Sequence, residues 1–273
     1  MNINFIFTNY NNSLLSIQAI KSIWEIEGIV NPHIVIIDNF SEYRERAKLK
    51  NFQKKNSYKN LHFLYLDENI GYFKGLNQGI RMMLDTGIKF DYFIIGNNDL
   101  IFPKNLYQKI LKNKINHGPY PVISPNLVTR DGVHQNPHVL NKISKLRKII
   151  YALYFLNYQV AKFILMISTF TSSISKRKDS LDYKRSGVIN MGYGACYLLT
   201  KKFFEYYNEL DAITFLMGEE AFLSNQIHTK GLEIYYDSEI EILHYDQASC
   251  GQLPAKRMWN YTKESYKLYR KLI

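Results

Sequence analysis

Four short apolar runs separated by helical stretches fill the first hundred residues. Residues 2–7, 33–37, 61–66 and 91–95 are rich in β-branched and aromatic side chains and end at polar or turn-forming residues, the pattern of buried strands. Between them, residues 14–27 carry Leu14, Leu15, Ile17, Ile20, Ile23 and Trp24 at helical spacing. The charged residues 42–59 read as a helix on an outer face, and a third helix ends near Thr86. Strict alternation of this kind calls for right-handed crossovers that lay the strands side by side. The expected fold class is α/β, with a mixed, largely parallel sheet flanked by helices.

These strands also share a polar carboxyl end. Asp38, Asn39 and Ser41 follow the second, Asp67, Glu68 and Asn69 the third, and Asn97, Asn98 and Asp99 the fourth. Ligands of open α/β sheets sit at that end, where a carboxylate can hold a hard divalent cation that also grips a ligand's phosphates. DYFIIGNNDLIFP, residues 91–103, is the sharpest instance, and Asp99 is its candidate ligand. An Asn-Asn-Asp cluster also forms turns that cap their own backbone, but three strands converging on one polar end raise the weight of the ligand reading. Gly71, Gly75 and Gly79, four residues apart, let a backbone pass close to a ligand or a neighbouring strand.

Past Pro103 the pattern predicts a helix to about Asn116, a strand at 121–124 and a loop at 125–137. His134 and His138 read as surface-loop residues, because Pro137 between them disfavours a helix. Residues 141–179 change character: Lys142, Lys145, Arg147 and Lys148 precede an apolar aromatic stretch, and Lys176, Arg177 and Lys178 follow it. Asn157, Gln159 and Lys162 interrupt the roughly twenty apolar residues that a membrane span needs. Two readings remain, an amphipathic segment at an anionic membrane interface or a helical hairpin packed on the protein. Residues 190–200 lead into an apolar strand, and 201–210 look helical. Glu219 and Glu220 open an amphipathic helix stopped by Gly231, where they favour the helix dipole or supply a general base. Residues 232–236 and 239–243 read as two strands, with His244 and Asp246 in a polar loop after them.

The chain has 35 Lys and Arg against 24 Asp and Glu, a formal charge of +11, which suits an anionic partner: nucleic acid, anionic lipid or a phosphorylated substrate. Cys196 and Cys250 have no paired spacing, so neither a zinc site nor a disulfide framework is expected. The default setting is reduced and cytoplasmic, and the opening MNINFIFTNYNN has no signal-peptide pattern.

Seven stretches in order carry a resemblance: FIFTNYNN (5–12), IVIIDNFS (34–41), NIGYFKGLNQGI (69–80), FIIGNNDL (93–100), GYGACYLLT (192–200), GEEAFL (218–223) and ILHYDQAS (242–249). Together they resemble the GT-A glycosyltransferases of the inverting family 2 type, in the rhamnosyltransferase-like branch of bacterial surface polysaccharide synthesis. The resemblance implies a Rossmann-like GT-A domain over residues 1–250; the composition adds a helical insertion at 141–179 and, from alternating aromatic and basic residues, a basic amphipathic helix at 251–273. It implies that Thr8, Asn9, Tyr10 and Asp38 surround the nucleotide's base and ribose. Asn69, Gly71 and Asn77 would line its diphosphate side, with Asn97 and Asn98 also at the donor. Asp99 fills the second acidic place of the family's Asp-x-Asp motif and His244 matches a histidine completing the metal site, so Mg2+ or Mn2+ is the implied cofactor. Glu220 falls where the family carries its catalytic base, with Glu219 beside it.

The sequence also departs from the pattern. Asn97 replaces the first aspartate, a Glu-Glu pair stands for Glu-Asp, and Phe222 sits where many relatives have another acid. The implied partners are a UDP- or dTDP-sugar donor and a glycan acceptor linked to polyprenyl diphosphate, met at the inner face of the cell membrane by a peripheral enzyme. The altered motifs leave open a catalytically silent sugar-nucleotide or glycan-binding subunit. Nucleic acid is disfavoured, since the acidic strand ends would repel phosphates unless a metal intervened.

Overall fold

Strand β1 (Ile3–Asn9) sets the two faces of the molecule: Ile3, Phe5 and Phe7 point to one core and Ile6 to the other. A computed structural model describes residues 1–56, 58–141, 143–170, 182–245 and 255–273, the side chains of 168–170 and 255 excepted. After β1 come α1 (Ser13–Trp24), β2 (Ile34–Asp38), α2 (Tyr43–Lys55), β3 (Leu61–Tyr65), α3 (Tyr72–Asp85), β4 (Tyr92–Asn97), β5 (Leu100–Ile101) and α4 (Leu106–His117). They are followed by β6 (Val122–Thr129), α5 (Lys145–Tyr154), α6 (Tyr158–Phe170), β7 (Gly187–Ile189), β8 (Cys196–Thr200), α7 (Lys201–Tyr206), α8 (Glu219–His228), β9 (Ile234–His244) and α9 (Ala255–Tyr269). The strands form one mixed sheet in the order β3-β2-β1-β4-β8-β6-β9-β5, with β7 also on β9. β3, β2, β1 and β4 are parallel, as the alternation predicts. β8 runs antiparallel between β4 and β6, and β6 is parallel to β9.

One core holds Ile20 and Ile23 of α1 and Leu106 and Ile110 of α4 against the sheet. The other holds Phe73, Leu76, Ile80 and Met83 of α3, Phe203 of α7, and Leu223 and Ile227 of α8. Gly75 and Gly79 serve the strand contact rather than a ligand. A Cβ on Gly79 would lie 2.4 Å from Ile6 Cγ2 and 2.8 Å from Ile37 Cδ1, so α3 rests directly on β1 and β2.

Several boundaries differ from the sequence reading. α1 stops at Trp24, short of residue 27, because Ile26 turns into the core and the Glu27 N–H donates to the Lys104 carbonyl. β6 runs on to Thr129 through a stretch expected to be loop, and β9 is one strand where two were expected. Both corrections share a cause. Pro125 cannot donate to the ladder, so the β6–β9 register jumps between Pro125/Asp237 and Asn126/Glu241 and then resumes. His244 therefore ends a strand instead of standing in a loop. The short β5 and β7 carry too few residues to show a periodicity, and α7 is shorter than residues 201–210 because Asn77 anchors the Leu210 backbone. His134 is no plain surface residue: its ring stacks on Tyr183 at 3.6 Å and its Nδ1 bonds Asn126. Residues 141–179 include a helical hairpin, α5–α6, packed through Phe155 and Ala161 on Trp259 and Tyr266 of α9. No helix among the described residues is long and apolar enough to cross a membrane. Lys142, residues 176–178, Asp246 and Cys250 lie outside the described residues.

Gly79→Val should test the α3 contact. Overpacking against two β-branched side chains on the sheet is expected to lower the urea-unfolding free energy by about 2 kcal/mol; an unchanged midpoint would mean that α3 can lift from the sheet.

Candidate active site

The carboxyl ends of β1, β2 and β4 meet in a hydrogen-bonded cluster around Asn9. Its Nδ2 donates to Asp38 Oδ1 (2.8 Å) and Ser41 Oγ (3.0 Å), and its Oδ1 accepts from Ser16 Oγ and Asn98 Nδ2 (both 2.9 Å). Asn98 also donates to Ser16 and Asn12, tying β4 to the start of α1. Asp38 accepts from Arg46 Nε at 2.6 Å, and the Arg46 guanidinium also reaches the Leu66 carbonyl. Asn9, Asp38 and Asn98 are buried in this cluster. Asn77 is buried too, exchanging two bonds with the Leu210 backbone (2.8 and 2.9 Å). All four side chains are thus engaged by the protein itself.

Other candidates are more open. Tyr10 is exposed, and Thr8, Asn69 and Asn97 are half-buried. Asn69 Oδ1 accepts from the Gly71 N–H, while Asn39 clamps the same loop by donating to the Gly71 carbonyl. Gly71 has φ +93°, and a Cβ there would meet the Phe215 carbonyl at 2.5 Å. Its freedom serves a close approach to residue 215.

Asp99 and His244 come together because β5, which follows Asp99, pairs antiparallel with the end of β9. Asp99 Oδ1 lies 3.2 Å from His244 Nε2 and accepts no hydrogen bond, though it is buried. His244 Nδ1 lies 2.7 Å from Gln135 Oε1. When Nδ1 donates to Gln135, Nε2 is left as an acceptor beside the carboxylate, with Asn97 Nδ2 as a long donor to it at 3.4 Å. Asp99 Oδ1, buried without a hydrogen bond beside that ring nitrogen, is an acceptor that a proton or a cation would satisfy. Their separation is about the edge of an octahedron with bonds of ~2.1 Å, and carboxylate oxygen with imidazole nitrogen is a donor set that divalent ions accept. Among the described residues no group of three or more His, Cys, Asp and Glu gathers. An ion here would complete its shell from a ligand and water.

Residues 193–195 connect this pair to the acids of α8. The Tyr193 ring lies 6.1 Å from the His244 ring, and the Ala195 carbonyl accepts from the Asn97 N–H. On the far side, a Cβ on Gly194 would stand 3.3 Å from Glu220 Oε2. Tyr72 Oη donates to the Gly194 carbonyl (2.9 Å), and its pKa is pushed well up, first by burial and then by surrounding acidic groups that include Glu219 and Asp99. The three distant stretches around residues 99, 220 and 244 thus all come up to residues 193–195. Glu219 is buried with Oε1 unpaired, and burial, then the neighbouring Glu220, push its pKa up to about 8. Glu219 holds a proton at neutral pH, whereas Glu220 is half-buried beside Gly194. The two acids have unlike environments, the arrangement that separates acid and base roles.

The sequence matches the family model Glycosyl transferase family 2 over residues 5–182, well over half of the chain. The chain belongs to glycosyl transferase family 2. No curated protein matches it. The fold of this family 2 chain is similar to that of GalNAc-T7 crystallised with UDP, GalNAc and Mn2+ (TM-score 0.61, 12% identity), covering 89% of this chain and 44% of that one. It is also similar to residues 1–349 of TarS from S. aureus (TM-score 0.51, 12% identity), covering 89% of this chain and 60% of the other. The protein thus spans about half the length of these structures and shares their GT-A glycosyltransferase architecture. Tyr72 and residues 193–195 lie in stretches 69–80 and 192–200 that carry the resemblance but have no role assigned there, and Gln135 is not singled out by the sequence, since their contacts with Gly194, His244 and Glu220 come from tertiary packing.

Glu219 yields a pH test. The folded chain keeps a proton there that the unfolded chain loses above about pH 4.5, so this contribution is complete below that pH and is lost as pH rises toward 8. Glu219→Gln should flatten the fall in unfolding free energy across that window, a difference on the order of a few kcal/mol. Parallel profiles for variant and wild type would put the proton elsewhere.

Proposed function

We propose that the protein is an inverting, metal-dependent glycosyltransferase of the rhamnosyltransferase-like branch, moving a hexosyl or rhamnosyl group from a UDP- or dTDP-sugar to a hydroxyl of a glycan acceptor. The observation that carries this reading is the buried Asp99 carboxylate facing His244 Nε2, with Glu220 across residues 193–195. Tyr10 and Thr8, above the Asn9–Asp38 cluster, would receive the base and ribose, and Asn69, Gly71 and Asn97 would flank the diphosphate. The UDP and Mn2+ in GalNAc-T7 support the donor and cofactor classes by analogy of fold.

Asp99 and His244 would hold Mg2+ or Mn2+, which when bound supplies charge stabilisation for the departing nucleoside diphosphate. The acceptor oxygen attacks the anomeric carbon as its proton passes to the Glu220 carboxylate, and the bond from that carbon to the diphosphate oxygen breaks. A single displacement inverts the anomeric centre. The Glu219 carboxyl, protonated at neutral pH, positions Glu220 and is no rival base at that pH. We place the reaction in surface polysaccharide assembly at the inner face of the cell membrane, on an acceptor linked to polyprenyl diphosphate. The second reading, a silent nucleotide-sugar or glycan binder, draws on Asn97 leaving one carboxylate at the cation site.

Incubation with a panel of nucleotide sugars, with release of UDP or TDP as readout, tests this function. Asp99→Ala should abolish both donor hydrolysis and transfer. Glu220→Gln should keep UDP affinity within about twofold while transfer falls on the order of 10²- to 10⁴-fold. Full turnover by both variants would remove the site, and tight metal-dependent UDP binding by a wild type that forms no product would favour the silent binder.

A further inference from the structure

Helix α5 is built inside out. Its body-facing side is aromatic: Tyr151 and Tyr154, with Phe155 just beyond, pack toward α9, where Phe155 stacks on Tyr266 at 4.4 Å. Its outward side is aliphatic. Leu146, Ile149, Ile150 and Leu153 recur at three- and four-residue spacing and are 68%, 58%, 41% and 48% exposed, and no residue of α5 is buried. Leu156 and Phe163 are exposed as well. A helix facing plain water puts polar residues there, and contiguous apolar surface of this kind marks an interaction site.

The frame around the stripe identifies the partner. Lys145, Lys148 and Lys162 are exposed beside it. From Asp131 to Asp179 the intervening chain has no acidic residue and eight Lys and Arg. Glu264, the acid in α9, is paired with Lys267 at 2.6 Å. A protein partner would account for the aliphatic stripe alone; headgroups of anionic lipid above acyl chains match the stripe and its cations together. Among the described residues, the 13 of α6 span about 20 Å against ~30 Å of hydrocarbon, too short to cross.

We propose that the α5–α6 hairpin, braced by α9, is a docking face for an anionic lipid bilayer. Leu146, Ile149, Ile150 and Leu153 enter the acyl boundary, and Lys145 and Lys148 lie at headgroup level. α9 also carries Tyr269, whose ring would be 2.5 Å from a Cβ on Gly218, at the start of α8. The helix that braces the docking face therefore also braces the acid pair.

Vesicle binding needs no sugar donor, so its outcome is independent of the transferase reading. The full chain is sedimented with vesicles of phosphatidylcholine, with and without phosphatidylglycerol, at low and high salt. Binding is expected to the anionic vesicles and to weaken with salt. Lys145→Gln and Lys148→Gln should each weaken it about fivefold, from ~1 kcal/mol per cation. Ile149→Glu with Leu153→Glu should weaken it more than about tenfold, while circular dichroism melts stay at the wild-type temperature because these positions are exposed. The proposal is overturned if wild type ignores anionic vesicles, if it binds neutral ones equally well, or if the variants bind like wild type. It is also overturned if the glutamate pair instead dissolves a dimer seen by gel filtration, which would give the face to a second copy of the chain.

Discussion

The buried side chain of Asn9 holds the carboxyl end of the sheet together. One amide joins Asp38 at the end of β2 and Ser41 after it, Ser16 of α1, and Asn98 after β4, so three strand ends and a helix share one saturated hub. Leaving such a group unpaired costs roughly 1–3 kcal/mol. The cluster therefore ties the carboxyl ends of β1, β2 and β4 to one another and to α1. Arg46, bonded to Asp38 and the Leu66 carbonyl, extends the same lattice to the end of β3.

Next to this saturated hub lie atoms with no partner. Asp99 Oδ1 and Glu219 Oε1 are both buried and unpaired. The contrast separates side chains that the fold has satisfied from side chains that it has not. Where every lone pair and proton is matched within the chain, the side chain braces the fold. Where a carboxylate oxygen is buried without a match, the protein carries an electrostatic demand that a cation, a proton or a substrate hydroxyl can meet. A proton on Glu219 is one answer to that demand, and the facing pair of His244 and Asp99 leaves another to be met.

Away from the sheet, α9 links elements that are far apart in sequence. Trp259 and Tyr266 pack on the α5–α6 hairpin, while Tyr269 and Ile273 reach Ala221 and Val139 beside the acid pair. Ser265 Oγ adds a bond to the Leu216 carbonyl (2.7 Å), just before Gly218 and its left-handed turn into α8. The α5–α6 hairpin and the start of α8 so share contacts with one helix.

The alternation of strands and helices, and the polar groups after each strand, were legible in the residues themselves, because both arise from local periodicity and from side chains within a few positions of one another. So were Asp99 and the acid pair opening α8, since carboxylates at strand and helix ends stand out against apolar runs. The continuity of β6 and β9 was hidden by Pro125, and the short β5 by its length. Tertiary structure alone decided which polar side chains remain open: Asn9, Asn77 and Asn98 look as available as Asn97 in the sequence, yet packing buries them against partners tens of residues away. It alone also seats Gln135 on His244 across 109 residues. Hydrogen-bond saturation belongs to the folded neighbourhood, which long-range strand pairing creates and no local pattern encodes.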